Sequence, residues 1–231
     1  MKRSFSTSLT LMGLLLGLGT NLSKAGPITD PEHFEKDIKA FEAADQKNPP
    51  PKGAILFVGD SQFTRWKTIH EDLPGYTLIN RGFGGSRMAD LLHYVDRVVL
   101  PYKPRMIIVH EGGNDLQGKR TPDELFADIK AFIEKVQTAL PGVPILISGL
   151  TPSPARWAQA DMRRQVNQRV KEYIATLKGV QFVDLFDAYL GPDGKPREEL
   201  FVADHLHHSA EGYKVRVRIT KPFLGEPDQK P

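Results

Sequence analysis

The chain of 231 residues is 40% hydrophobic and 26% charged, the composition of one globular domain able to bury a core, with some terminal extras. It has no cysteine, which excludes disulfides, thiolate metal sites, a cysteine nucleophile and a lipid-modified N-terminal cysteine. Its net charge of +3 rests on Lys2, Arg3 and Lys24; past residue 25 acids and bases balance, so charge gives no support for a nucleic-acid or membrane-surface partner.

Residues 1–25 read as a signal peptide. Lys2 and Arg3 precede the apolar stretch Leu9–Leu18, and Ser23-Lys24-Ala25 offers a small-x-small cleavage site after Ala25. A bilayer span takes about 20 apolar residues, so this stretch is short for an anchor. The expectation is a secreted or periplasmic protein with no stable membrane insertion after cleavage, an uncleaved anchor being the alternative.

Residues 26–53 form an N-terminal helix and a proline-rich connector. Asp30-Pro31 resembles an N-cap followed by proline at the first helical position, and Phe34, Ile38 and Phe41 space an apolar face to about Ala44. Asn48-Pro49-Pro50-Pro51-Lys52-Gly53 cannot continue a helix. The main domain, 54–224, then alternates short apolar runs with helical stretches. Strands are expected at Ala54–Val58, Thr77–Ile79, Met106–Val109, Pro144–Ile147 and Phe182–Val183, and the clearest helices at Pro122–Leu140 and Ala158–Leu177. Continuous apolar strands between amphipathic helices indicate a parallel sheet covered on both faces, an α/β three-layer sandwich of about five strands. Residues 225–231 read as a flexible tail.

In such folds, functional groups gather beyond the carboxyl ends of the strands. Gly59-Asp60-Ser61 follows the first strand, Asn80-Arg81-Gly82-Phe83-Gly84-Gly85-Ser86 the second, and Glu111-Gly112-Gly113-Asn114-Asp115 the third. Asp204-His205-Leu206-His207 precedes a helix beginning near Ser209. Ester hydrolysis needs a hydroxyl activated by a base, a carboxylate that fixes the tautomer of that base, and donors aimed at the developing oxyanion. Ser61 supplies a hydroxyl, and one short turn between Asp204 and His207 can present the carboxylate to the imidazole. Glycine-rich turns at Gly85 and Asn114 can bring N–H groups close to a substrate.

Gly59-Asp60-Ser61, Gly85, Gly112-x-Asn114-Asp115 and Asp204-x-x-His207 match, in order, the four signature blocks of the SGNH (GDSL-type) hydrolase family, and the resemblance covers about residues 54–224. Asn80-x-Gly82-x-Gly84-Gly85 and Pro152–Trp157 are similar to the branch of platelet-activating-factor acetylhydrolase catalytic subunits and bacterial carbohydrate acetylesterases. The resemblance implies a flavodoxin-like fold and a catalytic set of Ser61, Asp204 and His207. It also implies an oxyanion hole of Ser61 N–H, Gly85 N–H and the Asn114 side chain, with no metal and no organic cofactor. The implied substrate is a small acyl ester or acetylated carbohydrate, with lysophospholipid-like or other short esters as the alternative. Gln62 replaces the leucine of the GDSL string, and His208 stands where leucine or proline is usual.

Plainer roles are expected for several residues. Asp60 and Asp115 hold turns, Asn80 fixes its loop, His110 is a buried structural histidine, and His33, His70 and His93 lie on the surface. Arg87, Arg156 and Trp157 are candidates for substrate binding, although Arg156-Trp157 equally well starts a helix. Two other classes stay open: a metallohydrolase using Asp204, His205, His207 and His208, and a non-catalytic binding protein. A dinucleotide site is excluded, because Gly82-x-Gly84-x-x-Arg87 lacks the third glycine and follows the second strand.

Overall fold

The computed structural model describes Asp30 and residues 32–228; the leader with its cleavage site, Pro31 and the last three residues of the tail lie outside the described residues. In chain order the elements are α1 (Glu35–Lys47), β1 (Ile55–Gly59), α2 (Ser61–Thr64), α3 (Ile69–Asp72), β2 (Leu78–Gly82), α4 (Met88–Val98) and β3 (Met106–His110). They continue with α5 (Gly113–Gln117), α6 (Pro122–Ala139), β4 (Ile145–Ser148), α7 (Ala160–Ile174), β5 (Val180–Val183) and α8 (Ala210–Thr220).

All five strands are parallel, in the order β2-β1-β3-β4-β5. This is the flavodoxin-like order, whose crevice lies where the chain direction across the sheet reverses, between β1 and β3. β1 is buried along its whole length because each face meets helices. Leu56 and Val58 pack with Ile38, Leu91, Val95, Ile133 and Val170, whereas Ile55 and Phe57 pack with Phe63, Trp66, Tyr213 and Val215. Burying each aliphatic or aromatic side chain contributes about 1.5–3 kcal/mol. The three-layer sandwich expected from the alternating pattern is therefore the fold.

Several element bounds differ from the sequence expectation, each for a local reason. The first helix begins at Glu35, not beside Asp30, whose carboxylate caps a preceding turn by accepting the Glu32 N–H (2.9 Å). α1 runs past Ala44 to Lys47 and joins the core of the main domain. Ile38 is fully buried, and Arg97 on α4 pairs with Glu35 (2.6 Å) and Glu42 (2.7 Å). β2 continues to Gly82 because its polar end is partnered: Asn80 Nδ2 donates to Phe63 O (2.8 Å) and Arg81 Nε to Tyr102 OH (2.6 Å). α6 matches the expected helix closely. Thr121 and Glu124 form a reciprocal capping box ahead of Pro122, the kind of cap worth about 1 kcal/mol.

The helix expected from Ala158 starts two residues later. Pro154–Gln159 forms a tight 3-10 turn broken at Arg156, with the Ala155 N–H tied to His205 O (3.0 Å). The tail is held as far as Asp228. Tyr76 OH donates to Gly225 O (2.9 Å), and Asp228 accepts the Thr77 N–H (2.7 Å) and pairs with Arg105 (3.2 Å). No helix among the described residues is long and apolar enough to cross a membrane.

Candidate active site

The registers of β1, β2 and β3 end level, with Gly59 opposite both Gly82 and His110. The loops after these strands therefore leave the sheet at one height and meet over the crevice. Glycine is required at position 59. Its φ is 147°, and a Cβ there would lie 2.0 Å from His110 O. The next N–H, of Asp60, donates to that same carbonyl (3.1 Å), so β1 and β3 stay joined to the point where the chain turns. Asp60 then caps α2, accepting the Gln62 N–H (2.9 Å), and Ser61 opens the helix.

The loop before α8 delivers the other side of the site. The carboxylate of Asp204 folds the loop around itself, Oδ1 accepting the N–H groups of Leu206 (3.0 Å) and His207 (2.9 Å). Its Oδ2 lies 2.7 Å from His207 Nδ1, and His207 Nε2 lies 2.9 Å from Ser61 Oγ. A carboxylate beside Nδ1 keeps the proton on that nitrogen and leaves Nε2 to accept from the serine hydroxyl. Burial pushes the Asp204 carboxyl up, but the donated hydrogen bonds from His207 and Leu206 outweigh it and hold the group well below the usual carboxylate range. Asp204 is thus a fixed negative charge behind the imidazole.

Gly85 and Asn114 face the same groove as Ser61 and His207, a depression of about 420 Å³ that Thr64, Arg65, Gly84, Arg156 and Leu206 complete. The backbone N–H groups of Ser61 and Gly85 have no acceptor among the described residues. Gly85 has φ 89°, and a Cβ there would meet nothing, so it is backbone conformation and not crowding that favours glycine. Asn114 Nδ2 gives one hydrogen to Ser86 O (2.9 Å) and keeps a second for the groove. Donors on Ser61, Gly85 and Asn114 thus line one groove with the serine hydroxyl, a set of groups able to hold an oxyanion. A second, smaller and more enclosed cavity of about 20 Å³ also reaches Ser61, walled by Asp60, Gln62, Gly113, Ser153, Arg156 and Arg163 among others.

Behind the groove lies a buried polar layer. Ser86 Oγ donates to Glu111, whose other oxygen accepts the Gly112 N–H (3.2 Å). Burial, reinforced by the charges of Asp60 and Asp115, pushes the Glu111 carboxyl well up. Asp115 accepts the Met88 N–H (3.0 Å) at the start of α4 and faces Arg120 (3.5 Å), and burial pushes it up to about 6. These groups tie the loops after β2 and β3 together from below. His110 is buried, with Nδ1 against Ser148 O (3.3 Å), and burial holds its pKa well down.

The remaining candidates separate clearly. Arg156 lines both cavities, donating from Nη1 to Gly113 O (2.9 Å) and from Nη2 to Asn114 Oδ1 (3.0 Å). Trp157 lines neither cavity, and nor does Arg87, whose N–H is taken by Asp90 (2.9 Å) at the head of α4. The four side chains of the alternative metal cluster do not converge. His205 pairs outward with Glu198 (2.7 Å), and His208 is buried, stacked on Tyr189 at 4.6 Å. Among the described residues no group of three or more His, Asp or Glu is placed to hold a metal ion. His33, His70 and His93 are exposed.

Sequence reasoning missed Gln62. Its buried side chain donates to Leu206 O (3.1 Å) and accepts the His208 N–H (3.4 Å), so the residue after the serine clamps the histidine loop. The partners lie some 140 positions along the chain, and only the replacement of the usual leucine hinted at a polar task. Arg65, 3.4 Å from Asp204, and Arg163 had no sequence signal.

Comparison with known proteins identifies the family. The sequence model of the GDSL-like lipase/acylhydrolase family matches residues 51–215. The chain belongs to this family. Its members are hydrolases, and the chain is accordingly an acylhydrolase or esterase acting on ester substrates. Platelet-activating factor acetylhydrolase IB subunit alpha2 of Rattus norvegicus is 29% identical over 182 residues, 73% of each chain. A structure described as a platelet activating factor from Streptococcus pneumonia superposes with a TM-score of 0.74 at 24% identity, over 82% of this chain and 92% of that one. A carbohydrate esterase family 3 protein from Talaromyces cellulolyticus gives 0.60 at 17% identity, over 74% and 95%. These two structural likenesses speak for the fold alone.

Proposed function

We propose that the protein is a secreted serine esterase that removes short acyl groups, foremost O-acetyl groups on carbohydrate, through a covalent acyl-enzyme. The observation that carries this reading is the unbroken chain from Asp204 Oδ2 through both nitrogens of His207 to Ser61 Oγ, at 2.7 and 2.9 Å. Ser61 Oγ attacks the ester carbonyl carbon while its proton passes to His207 Nε2. Asp204 stabilises the imidazolium so formed without taking the proton. The carbonyl oxygen becomes an oxyanion between Ser61 N–H, Gly85 N–H and Asn114 Nδ2, each donor worth roughly 3–4 kcal/mol of barrier. The intermediate collapses, the C–O bond to the alcohol breaks, and the imidazolium returns its proton to the departing oxygen. Water, deprotonated by His207, then attacks the acyl-serine and releases the acid.

The two cavities support the preference for short acyl groups. The leaving alcohol must lie within reach of His207, which lines the open groove of about 420 Å³ and not the smaller cavity. The acyl group is then directed toward the smaller, more enclosed cavity of about 20 Å³, room on the scale of a single water molecule and hence of a methyl group. The open groove accommodates a bulky alcohol such as a sugar, and the Talaromyces carbohydrate esterase shares the fold. A second reading, a short acyl ester of a phospholipid-like alcohol, is favoured by the rat acetylhydrolase relative. Export rests on the leader at residues 1–25 and is checked by the N-terminus of protein recovered outside the cytoplasm, expected at Gly26.

The mechanism is tested by hydrolysis of p-nitrophenyl acetate by the protein, by Ser61→Ala and by the protein with a chelator. Ser61→Ala is expected to lose kcat by about a million-fold, and the chelator to change nothing. Activity that survives in Ser61→Ala, or that fails only with chelator, would overturn the serine mechanism. Acetylated xylan and an acetyl-phospholipid assayed side by side decide between the two alcohols.

A further inference from the structure

Resting on the serine-esterase reading, we infer that Arg156 is a positioning residue: its guanidinium locks the side-chain amide of Asn114 in the one orientation that presents Nδ2 to the oxyanion. An asparagine amide can turn over with little change in shape, exchanging a donor for an acceptor. In the wrong orientation Asn114 would aim lone pairs at a developing negative charge. Here the amide is held from both ends. Nδ2 donates to Ser86 O (2.9 Å), and Oδ1 accepts from Arg156 Nη2 (3.0 Å). Turned over, the amide would set its NH₂ against a cation and its oxygen against a carbonyl oxygen. Both contacts select the same orientation.

The arginine is itself fixed by geometry that only its fork provides. Nη1 donates to Gly113 O (2.9 Å), the carbonyl just before Asn114, so one planar group spans the backbone and side chain of adjacent residues. Arg156 stands at the break in the 3-10 turn, one residue after Ala155, whose N–H is bound to His205 O (3.0 Å). That turn thus joins the oxyanion loop to the loop carrying Asp204 and His207. No carboxylate forms an ion pair with Arg156 among the described residues, and one donor from each terminal nitrogen goes to these two oxygens. The role differs from the substrate contact expected at this position from the sequence, because it operates through Asn114.

A double-mutant cycle on p-nitrophenyl acetate tests this, using Arg156→Ala, Asn114→Ala, the double variant and Arg156→Lys, each checked for folding by near-UV circular dichroism. Asn114→Ala is expected to lower kcat about 100- to 1,000-fold. Arg156→Ala should lower kcat about 10- to 100-fold with KM nearly unchanged. Adding Arg156→Ala to Asn114→Ala should cost less than about 3-fold more, because a positioning residue has nothing left to position. Added guanidinium ion should restore part of kcat in Arg156→Ala and none in the double variant. Arg156→Lys, with one point of contact for two oxygens, should fall between wild type and Arg156→Ala.

An equal loss from Arg156→Ala in both backgrounds, or a raised KM with kcat intact, would overturn the positioning role and leave the esterase mechanism standing. Full activity in a folded Asn114→Ala protein would instead remove Asn114 from the oxyanion hole, and the role of Arg156 with it.

Discussion

Two sets of carboxylates stand at the same edge of the sheet under opposite conditions. Asp204 lies on a loop at the groove, its side chain 39% exposed, and donated hydrogen bonds keep it ionised. Glu111 and Asp115, behind the glycine-rich turns, are buried and pushed toward their neutral forms. The difference lies in what surrounds each acid. Asp204 gathers two backbone N–H groups and an imidazole, whereas Glu111 has one hydroxyl and one N–H in a dry layer. An acid that must stabilise a transient imidazolium needs a permanent charge; an acid that joins two loops needs only to be a hydrogen-bonding group of fixed shape. Substitutions in the first set should therefore abolish turnover and spare the fold, and those in the second should act on stability.

Between the two sets of carboxylates and their surroundings, the largest effect is expected at Asp204. Asp204→Asn keeps the size of the side chain but allows the imidazole to hold its proton on the wrong nitrogen, and kcat should fall by the order of 10⁴-fold with little change in melting temperature. A fall in kcat of less than 10-fold would mean that Asp204 serves only to shape its loop.

Gly59→Ala, in the backing, should do the reverse. A methyl group placed 2.0 Å from His110 O forces β1 and β3 apart, and the expected loss is more than about 4 kcal/mol of unfolding free energy, read from the urea midpoint. A near-normal midpoint would show that the strand ends separate at little cost.

Asp115 gives the smallest and most specific effect. Its folded pKa, pushed up to about 6, lies above that of the unfolded chain, so the fold binds the protonated form better. The contribution is fully present below about pH 4 and is lost as pH rises through about 6. Stability of the protein relative to Asp115→Asn should thus decline over that window, by at most about 3 kcal/mol. A parallel pH dependence in the two proteins would contradict the burial argument for this carboxyl.

The sequence carried much of this architecture, and the reasons for the gaps are physical. Strand and helix order followed from apolar periodicity, because the central strands β1, β3 and β4 are buried on both faces and each long helix on one. The blocks around Ser61, Gly85, Asn114 and Asp204–His207 were legible because they fall just past strand ends or in a short turn, where local chemistry sets local geometry. What stayed hidden depends on distant partners. The polar end of β2 looked like loop because Tyr102 and Phe63 partner it, and Arg156 looked like a helix start because the oxygens it binds lie on the loop after β3. Gln62 acts across a still longer separation, on Leu206 and His208. Trp157 stood out in the sequence for its chemistry, yet neither cavity at Ser61 includes it.

The measurement closest to the central claim is intact-mass spectrometry after exposure to a serine-directed fluorophosphonate, followed by peptide mapping. The account predicts a single adduct on Ser61, loss of esterase activity in step with labelling, and no adduct in Ser61→Ala or His207→Ala. Label on another residue, or full esterase activity in a protein labelled at Ser61, would contradict it.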